Sequence, residues 1–126
     1  MRYLALVVDY DGTLASHDVV SDRALSALNR LRTSGRRAIL VTGRRLDDLL
    51  AVFPRPQTFD LIVAENGAVV YNPSTREETT LGNPPSKSLL KRLRERGVTP
   101  LDVGEVVVAT GERHRATVQD VVWELG

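Results

Sequence analysis

Apolar residues in this chain come in short unbroken runs, each followed by polar residues and then by a helical stripe. The first run, YLALVV from Tyr3 to Val8, predicts a strand covered on both faces, because a strand with one wet face would alternate. Asp9 to His17 reads as a loop. Ser21 or Asp22 can cap a helix that carries Ala24, Leu25, Leu28 and Leu31 on one stripe, with Gly35 as its stop. RAILV, Arg37 to Val41, predicts a second strand, and Thr42-Gly43-Arg44 a tight turn. A second helix places Leu46, Leu49, Leu50 and Phe53 on one face and ends at Pro54 and Pro56. LIVA, Leu61 to Ala64, predicts a third strand, and Asn66-Gly67 between it and Ala68 to Tyr71 is a hairpin signal. The order is β-α-β-α-β-β, which implies an α/β fold with a doubly wound, Rossmann-like parallel sheet and right-handed crossovers.

The pattern changes near Asn72. Residues 72–86 are rich in Pro, Ser, Thr, Gly and Asn around a short Glu-Thr stretch, and read as an antiparallel turn-back followed by a linker. Ser86 to Arg96 predicts a helix with Leu89, Leu90 and Leu93 inward and a basic outer face, stopped by Gly97. Val106 to Ala109 predicts a strand. Glu112 to Leu125 predicts a last helix, with Trp123 as a packing or interface residue. This second piece shows one clear strand, and a lone strand cannot satisfy its own backbone groups. The expected division is therefore a first domain at 1–81 and an incomplete second one at 82–126.

Composition narrows the classes. At 126 residues the chain suffices for one ordinary domain with a core. No apolar run approaches the roughly 20 residues of a membrane span, and MRYLALVVDY lacks the small-residue cleavage site of a secretion signal. There are no cysteines, which excludes disulfides and thiol catalysis and fits a cytoplasmic protein. The net charge of +1 gives no global field for nucleic acid, and KRLRER reads as a solvated helix face. Fifteen arginines stand against two lysines, Lys87 and Lys91. His17 and His114 have no metal-ligand spacing and read as solvent-exposed.

The chemistry sits at the predicted strand ends. In open parallel sheets, ligands bind beyond the carboxyl ends of the strands. Asp9 and Asp11 follow the first strand, Thr42 the second, and Glu65-Asn66 the third. Two carboxylates this close repel, so their retention points to a cation or a reaction. A carboxylate can attack an electron-poor centre, and a second one two residues on can move a proton to a leaving oxygen. A hard divalent ion such as Mg²⁺ would take oxygen ligands from Asp9 and Asp11. Gly12 allows a sharp turn. The Thr42 hydroxyl and the backbone N–H groups at the start of the next helix suit a phosphate.

VVDYDGTL resembles the first motif of the haloacid dehalogenase (HAD) superfamily of phosphohydrolases. VTGR, Val41 to Arg44, resembles its second motif, and AENGAVVY, Ala64 to Tyr71, the third-strand signature of the Cof-type branch. The resemblance implies an Mg²⁺-dependent phosphatase acting on a small phosphorylated metabolite. Asp9 would be the nucleophile that becomes an aspartyl-phosphate, and Asp11 the general acid/base, with its backbone carbonyl on the metal. Thr42 would hold the transferring phosphoryl group. Gly12, Thr13, Gly43, Arg44 and Asn66 would shape the substrate site, and the segment from Gly82 would begin an α/β cap. Such a phosphatase also needs a lysine and a distal acidic pair. Lys87, Lys91, Asp102, Asp120 and Glu124 do not follow the required strands. The expectation is an N-terminal portion of a longer protein, weak or inactive alone, with exposed apolar surface and a strand edge that predict a homodimer. The same half-site could instead serve a non-catalytic phosphate-binding, regulatory or assembly module. A receiver-like domain also clusters acids, but it predicts no Asp-Gly-Thr.

Overall fold

The computed structural model describes residues 2–126. In chain order the elements are β1 (Ala5–Asp9), β2 (Ala15–Ser16), β3 (Val19–Val20), α1 (Asp22–Thr33), β4 (Arg37–Val41), α2 (Leu46–Val52), β5 (Leu61–Ala64), β6 (Val69–Asn72), β7 (Glu77–Thr80), α3 (Lys87–Glu95), β8 (Leu101–Val103), β9 (Val108–Thr110) and α4 (Arg115–Leu125). They form two compact units that divide between Leu81 and Gly82. No described helix is long and apolar enough to cross a membrane.

The first unit is built on a five-stranded sheet in the order β1-β4-β5-β6-β7. The three strands joined by helical crossovers are parallel, with Ala5 opposite Arg37 and Ile39 opposite Leu61. The last two turn back antiparallel. The α1 helix begins where Ser21 accepts a hydrogen bond from the Ala24 N–H (3.2 Å), and stops at Gly35, whose φ of +85° ends the helical path. Its stripe packs Leu28, with Leu25 and Leu31, against Ala38, Leu40 and Ile62 of the sheet. Tyr10, Phe53 and Phe59 pack in series as tilted, edge-on rings, with centroids 5.8 and 5.9 Å apart. Each such pair contributes about 0.5–1.5 kcal/mol beyond area burial.

Two expectations are corrected here, and a third is refined. β1 is not covered on both faces: among the described residues it is an edge strand with only β4 beside it, and Leu6 and Val7, on opposite faces, are 41% and 58% exposed. The Asp9–His17 loop is not structureless, because Ala15–Ser16 pairs with Val19–Val20. The hairpin signalled by Asn66-Gly67 forms, since β5 and β6 pair antiparallel, but its turn is wider than that dipeptide. Ala64 pairs with Val69, so four residues make the reversal, and Glu65, Asn66 and Gly67 all take positive φ (49°, 55° and 102°).

The second unit has a small core of Leu93, Val98 and Val121, with Leu89, Leu101 and Val118 against it. Ser86 caps α3 by accepting from the Leu89 N–H (3.1 Å). The predicted lone strand has a partner: β8 and β9 form an antiparallel pair from Leu101↔Thr110 to Val103↔Val108. Trp123 is 85% exposed and is therefore no packing residue of α4. Arg96 and Glu124 form an ion pair that ties α3 to α4.

Candidate active site

The parallel ladder fixes where the polar strand ends fall. Asp9 closes β1 and pairs in register with Val41, so Thr42 stands one residue beyond it on the neighbouring strand. Three backbone bonds extend the ladder past the strands: Tyr10 N–H to Val41 O (3.2 Å), Thr42 N–H to Val63 O (2.9 Å) and Asn66 N–H to Thr42 O (3.2 Å). Asp9, Thr42, Gly43 and Asn66 consequently line one pocket of about 330 Å³, with Val41, Val63 and Gly67. A larger groove of about 620 Å³ lies along α1, but its lining of Asp22, Ser26, Asn29, Arg32 and Arg55 holds none of the strand-end groups.

Within the pocket, Thr42 is buried, and its Oγ1 accepts the Arg44 N–H (3.1 Å). The hydroxyl keeps its own proton to donate. Gly43 is needed for space: a Cβ there would lie 2.9 Å from Asn66 Oδ1. Gly12 is needed for conformation, since its φ is +71° and nothing crowds its Cβ position. The loop it turns is tightly wound, with Leu14 N–H on Asp9 O (3.2 Å) and Gly12 N–H on Ala15 O (3.1 Å). Thr13 is exposed on this loop, and neither it nor Gly12 lines the pocket.

Asp11 and Arg44 meet directly. Arg44 Nε donates to Asp11 Oδ2 (2.9 Å) and Nη2 to Oδ1 (2.6 Å), a two-pronged pairing. The guanidinium also pairs with Asp18 and lies 5.7 Å from the centre of the Tyr10 ring. Hydrogen bonding from Arg44, against a smaller opposing effect of burial, holds the Asp11 carboxyl below the usual range. Asp11 and then Asp18 keep the guanidinium more firmly protonated than usual. Burial pushes the Tyr10 hydroxyl up, partly opposed by Arg44.

The expected phosphate cradle at the next helix is corrected. The α2 helix starts at Leu46, beyond Arg44, and is one of seven residues with Asp47 and Asp48 in its first turn. Those carboxylates already sit against its positive end, and Arg45 pairs with Asp47. Among the described residues, no group of three or more His, Cys, Asp or Glu side chains lies close enough to hold a metal ion. His17 is exposed as expected, whereas His114 is half-buried with Nε2 3.0 Å from Thr99 O. Two acids escaped the sequence reading. Asp18 lies outside every strand end, and Glu65, named only as a strand-end group beside Asn66, is buried, at 2% exposed.

A family model for haloacid dehalogenase-like hydrolases matches residues 6–101. No curated protein matches the chain. Several solved structures are similar to it. A haloacid dehalogenase-like hydrolase from Bacteroides thetaiotaomicron is 22% identical, with a TM-score of 0.64, over 97% of this chain and 48% of its own. BT1666 from the same organism, described among the phosphatases of the haloalkanoate superfamily, is 25% identical, with a TM-score of 0.61, over 96% and 47%. Thermoplasma acidophilum 0175 is 16% identical, with a TM-score of 0.68, over 100% and 59%. The chain thus spans about half the length of the first two. With three strand-end motifs drawn onto one end of the sheet and the family model matched across most of its length, the chain belongs to the haloacid dehalogenase-like hydrolases.

Proposed function

We propose that this chain carries the nucleophile half of a phosphohydrolase site for a small phosphorylated metabolite. The observation that supports this reading is the convergence of Asp9, Thr42, Gly43 and Asn66 on one pocket, with Asp11 two residues from Asp9. Asp9 attacks phosphorus, the ester P–O bond breaks, and Asp11 gives its proton to the leaving oxygen. Water, deprotonated by Asp11, then releases phosphate and restores Asp9. Thr42 donates its hydroxyl proton to a phosphoryl oxygen. Asn66 lines the pocket and faces the substrate, and Arg44, next to Gly43 in the chain, reaches the substrate from outside that lining. Because Arg44 holds both Asp11 oxygens, that pair must part before Asp11 carries a proton.

The donors suit Mg²⁺, which takes one or two carboxylate-type oxygens and keeps several waters. The Asp9 carboxylate and the Asp11 backbone carbonyl would hold it, and it would offset the charge gathered at phosphorus. The first unit is read as half of the family's core and the second as the start of a cap. The open side of β1 suits pairing with a second copy.

A second reading, a phosphate-binding module without turnover, is favoured by the engagement of Asp11 with Arg44. Phosphate release from an aryl phosphate with Mg²⁺ separates the two. Slow release that disappears in Asp9→Asn supports the hydrolase. Binding of orthovanadate without release supports the module. Equal release by the wild type and Asp9→Asn would sink the proposed role of Asp9.

A further inference from the structure

Asp18 follows His17 in the two-residue turn between β2 and β3, and both residues take positive φ (66° and 50°). Two left-handed central residues make the turn whose twist suits a hairpin. That turn needs only a backbone conformation from position 18, which glycine and asparagine adopt at least as readily as aspartate. The carboxylate is surplus to the turn. It pairs with Arg44 at Nη2, while Asp11 takes Nε and the same Nη2 at 2.9 and 2.6 Å. The tip is tied down a second time, because the hydroxyl of buried Tyr10 donates to the Asp18 carbonyl oxygen (3.0 Å). The Tyr10 ring lies 5.7 Å from the guanidinium carbon. Arg44 is thus held by two carboxylates from two segments and by an aromatic ring, with one Nη2 hydrogen for each carboxylate.

We propose that Asp18 is a positioning residue of the phosphate site: from the hairpin tip it shares Arg44 with Asp11 and fixes the guanidinium plane beside the pocket. This rests on the reading that Arg44 faces the substrate. Asp11 alone fixes the guanidinium plane only relative to its own carboxylate, and both side chains can still turn together about their own bonds. The second anchor fixes its direction and makes the β2–β3 hairpin part of the site's geometry.

The test uses Asp18→Gly, which removes the carboxylate and suits the turn, and Asp18→Asn, which keeps the shape and removes the charge. Two properties are read in the whole chain: solvent exchange of the Arg44 Nε–H by nitrogen-15 NMR, and affinity for orthovanadate in Mg²⁺ buffer. Faster exchange in Asp18→Gly, with vanadate binding weakened about threefold at an unchanged melting temperature and Asp18→Asn in between, is the expected result. Vanadate binding and Nε–H exchange that Asp18→Gly leaves at wild-type values would overturn the inference alone. A wild-type chain that binds no vanadate would overturn the functional reading and this inference with it.

Discussion

Asp60 lies just before β5, at the end of the sheet away from the aspartate loop, and it closes a two-way bridge with Ala38. Its Oδ2 accepts the Ala38 N–H (2.8 Å) and its own N–H donates to the Ala38 carbonyl (2.8 Å). Oδ1 adds two longer contacts, to Arg32 and Arg37, both at 3.4 Å. Replacing Asp60 by alanine leaves the N–H of fully buried Ala38 without its acceptor. A hydrogen bond to a charged group is worth about 1.5–3 kcal/mol. The two ion pairs are long and Arg37 is 73% exposed, so together they add about 0–1 kcal/mol. The expected loss is about 2–3 kcal/mol. With a urea slope of about 1–3 kcal/mol/M, the unfolding midpoint of the first unit, followed by the Ala38 and Ala64 methyl signals, falls by about 0.7–3 M. Asp60→Asn keeps an acceptor and loses less than half as much. Burial raises the Asp60 pKa, but the Ala38 N–H, Arg32 and Arg37 outweigh it and leave the carboxyl below its ordinary value. A depressed folded pKa contributes stability that is present above the ordinary carboxylate pKa and is lost as pH falls through the folded one. Asp60→Asn therefore removes part of the wild type's decline below about pH 4. A midpoint that moves by less than about 0.5 M in Asp60→Ala, or equally in both variants, would refute the reasoning.

Two further outcomes are expected. Gly43→Ala places its methyl against Asn66 Oδ1 and pushes that carboxamide aside by a few tenths of an ångström. Stability stays within about 0.5 kcal/mol, since the lower entropy of the unfolded chain offsets the contact. Orthovanadate affinity falls by about tenfold, and unchanged affinity would remove Asn66 from the site. Val7→Lys puts a charge on the open strand of the sheet and lowers self-association measured by sedimentation velocity. A wild type that stays monomeric at every concentration would defeat the dimer reading.

The elements that were legible in the sequence are those whose signal fills a full period. RAILV and LIVA are strands at the predicted residues, and Ser21 and Ser86 cap the predicted helices. The convergence of Asp9, Thr42 and Asn66 was legible too, because parallel strands oblige successive carboxyl ends to share one end of the sheet. What escaped was short or long-range. β2 and β3 have two residues each and β8 has three, too few for any alternation to show. The width of the Glu65–Gly67 turn depends on the Glu65 and Asn66 N–H groups reaching the Arg44 and Thr42 carbonyls of another segment. The exposure of Leu6 and Val7 follows from strand order, which an apolar run does not encode. Asp18 became visible only once folding had set Arg44 beside it.

The place of β1 in the sheet has a thermodynamic consequence. The strand that ends in Asp9 is held by a single ladder, to β4, and its other side is open. Edge strands open locally at lower free-energy cost than central ones. When β1 frays, Asp9 and the wound loop behind it lose their position, while Thr42 and Asn66 keep theirs just past the ends of β4 and β5. Any partner strand that pairs with the open side binds the ordered β1 and not the frayed one. By mass action its binding energy then becomes order at the aspartates, and strand pairing and the placement of Asp9 draw on one linked equilibrium.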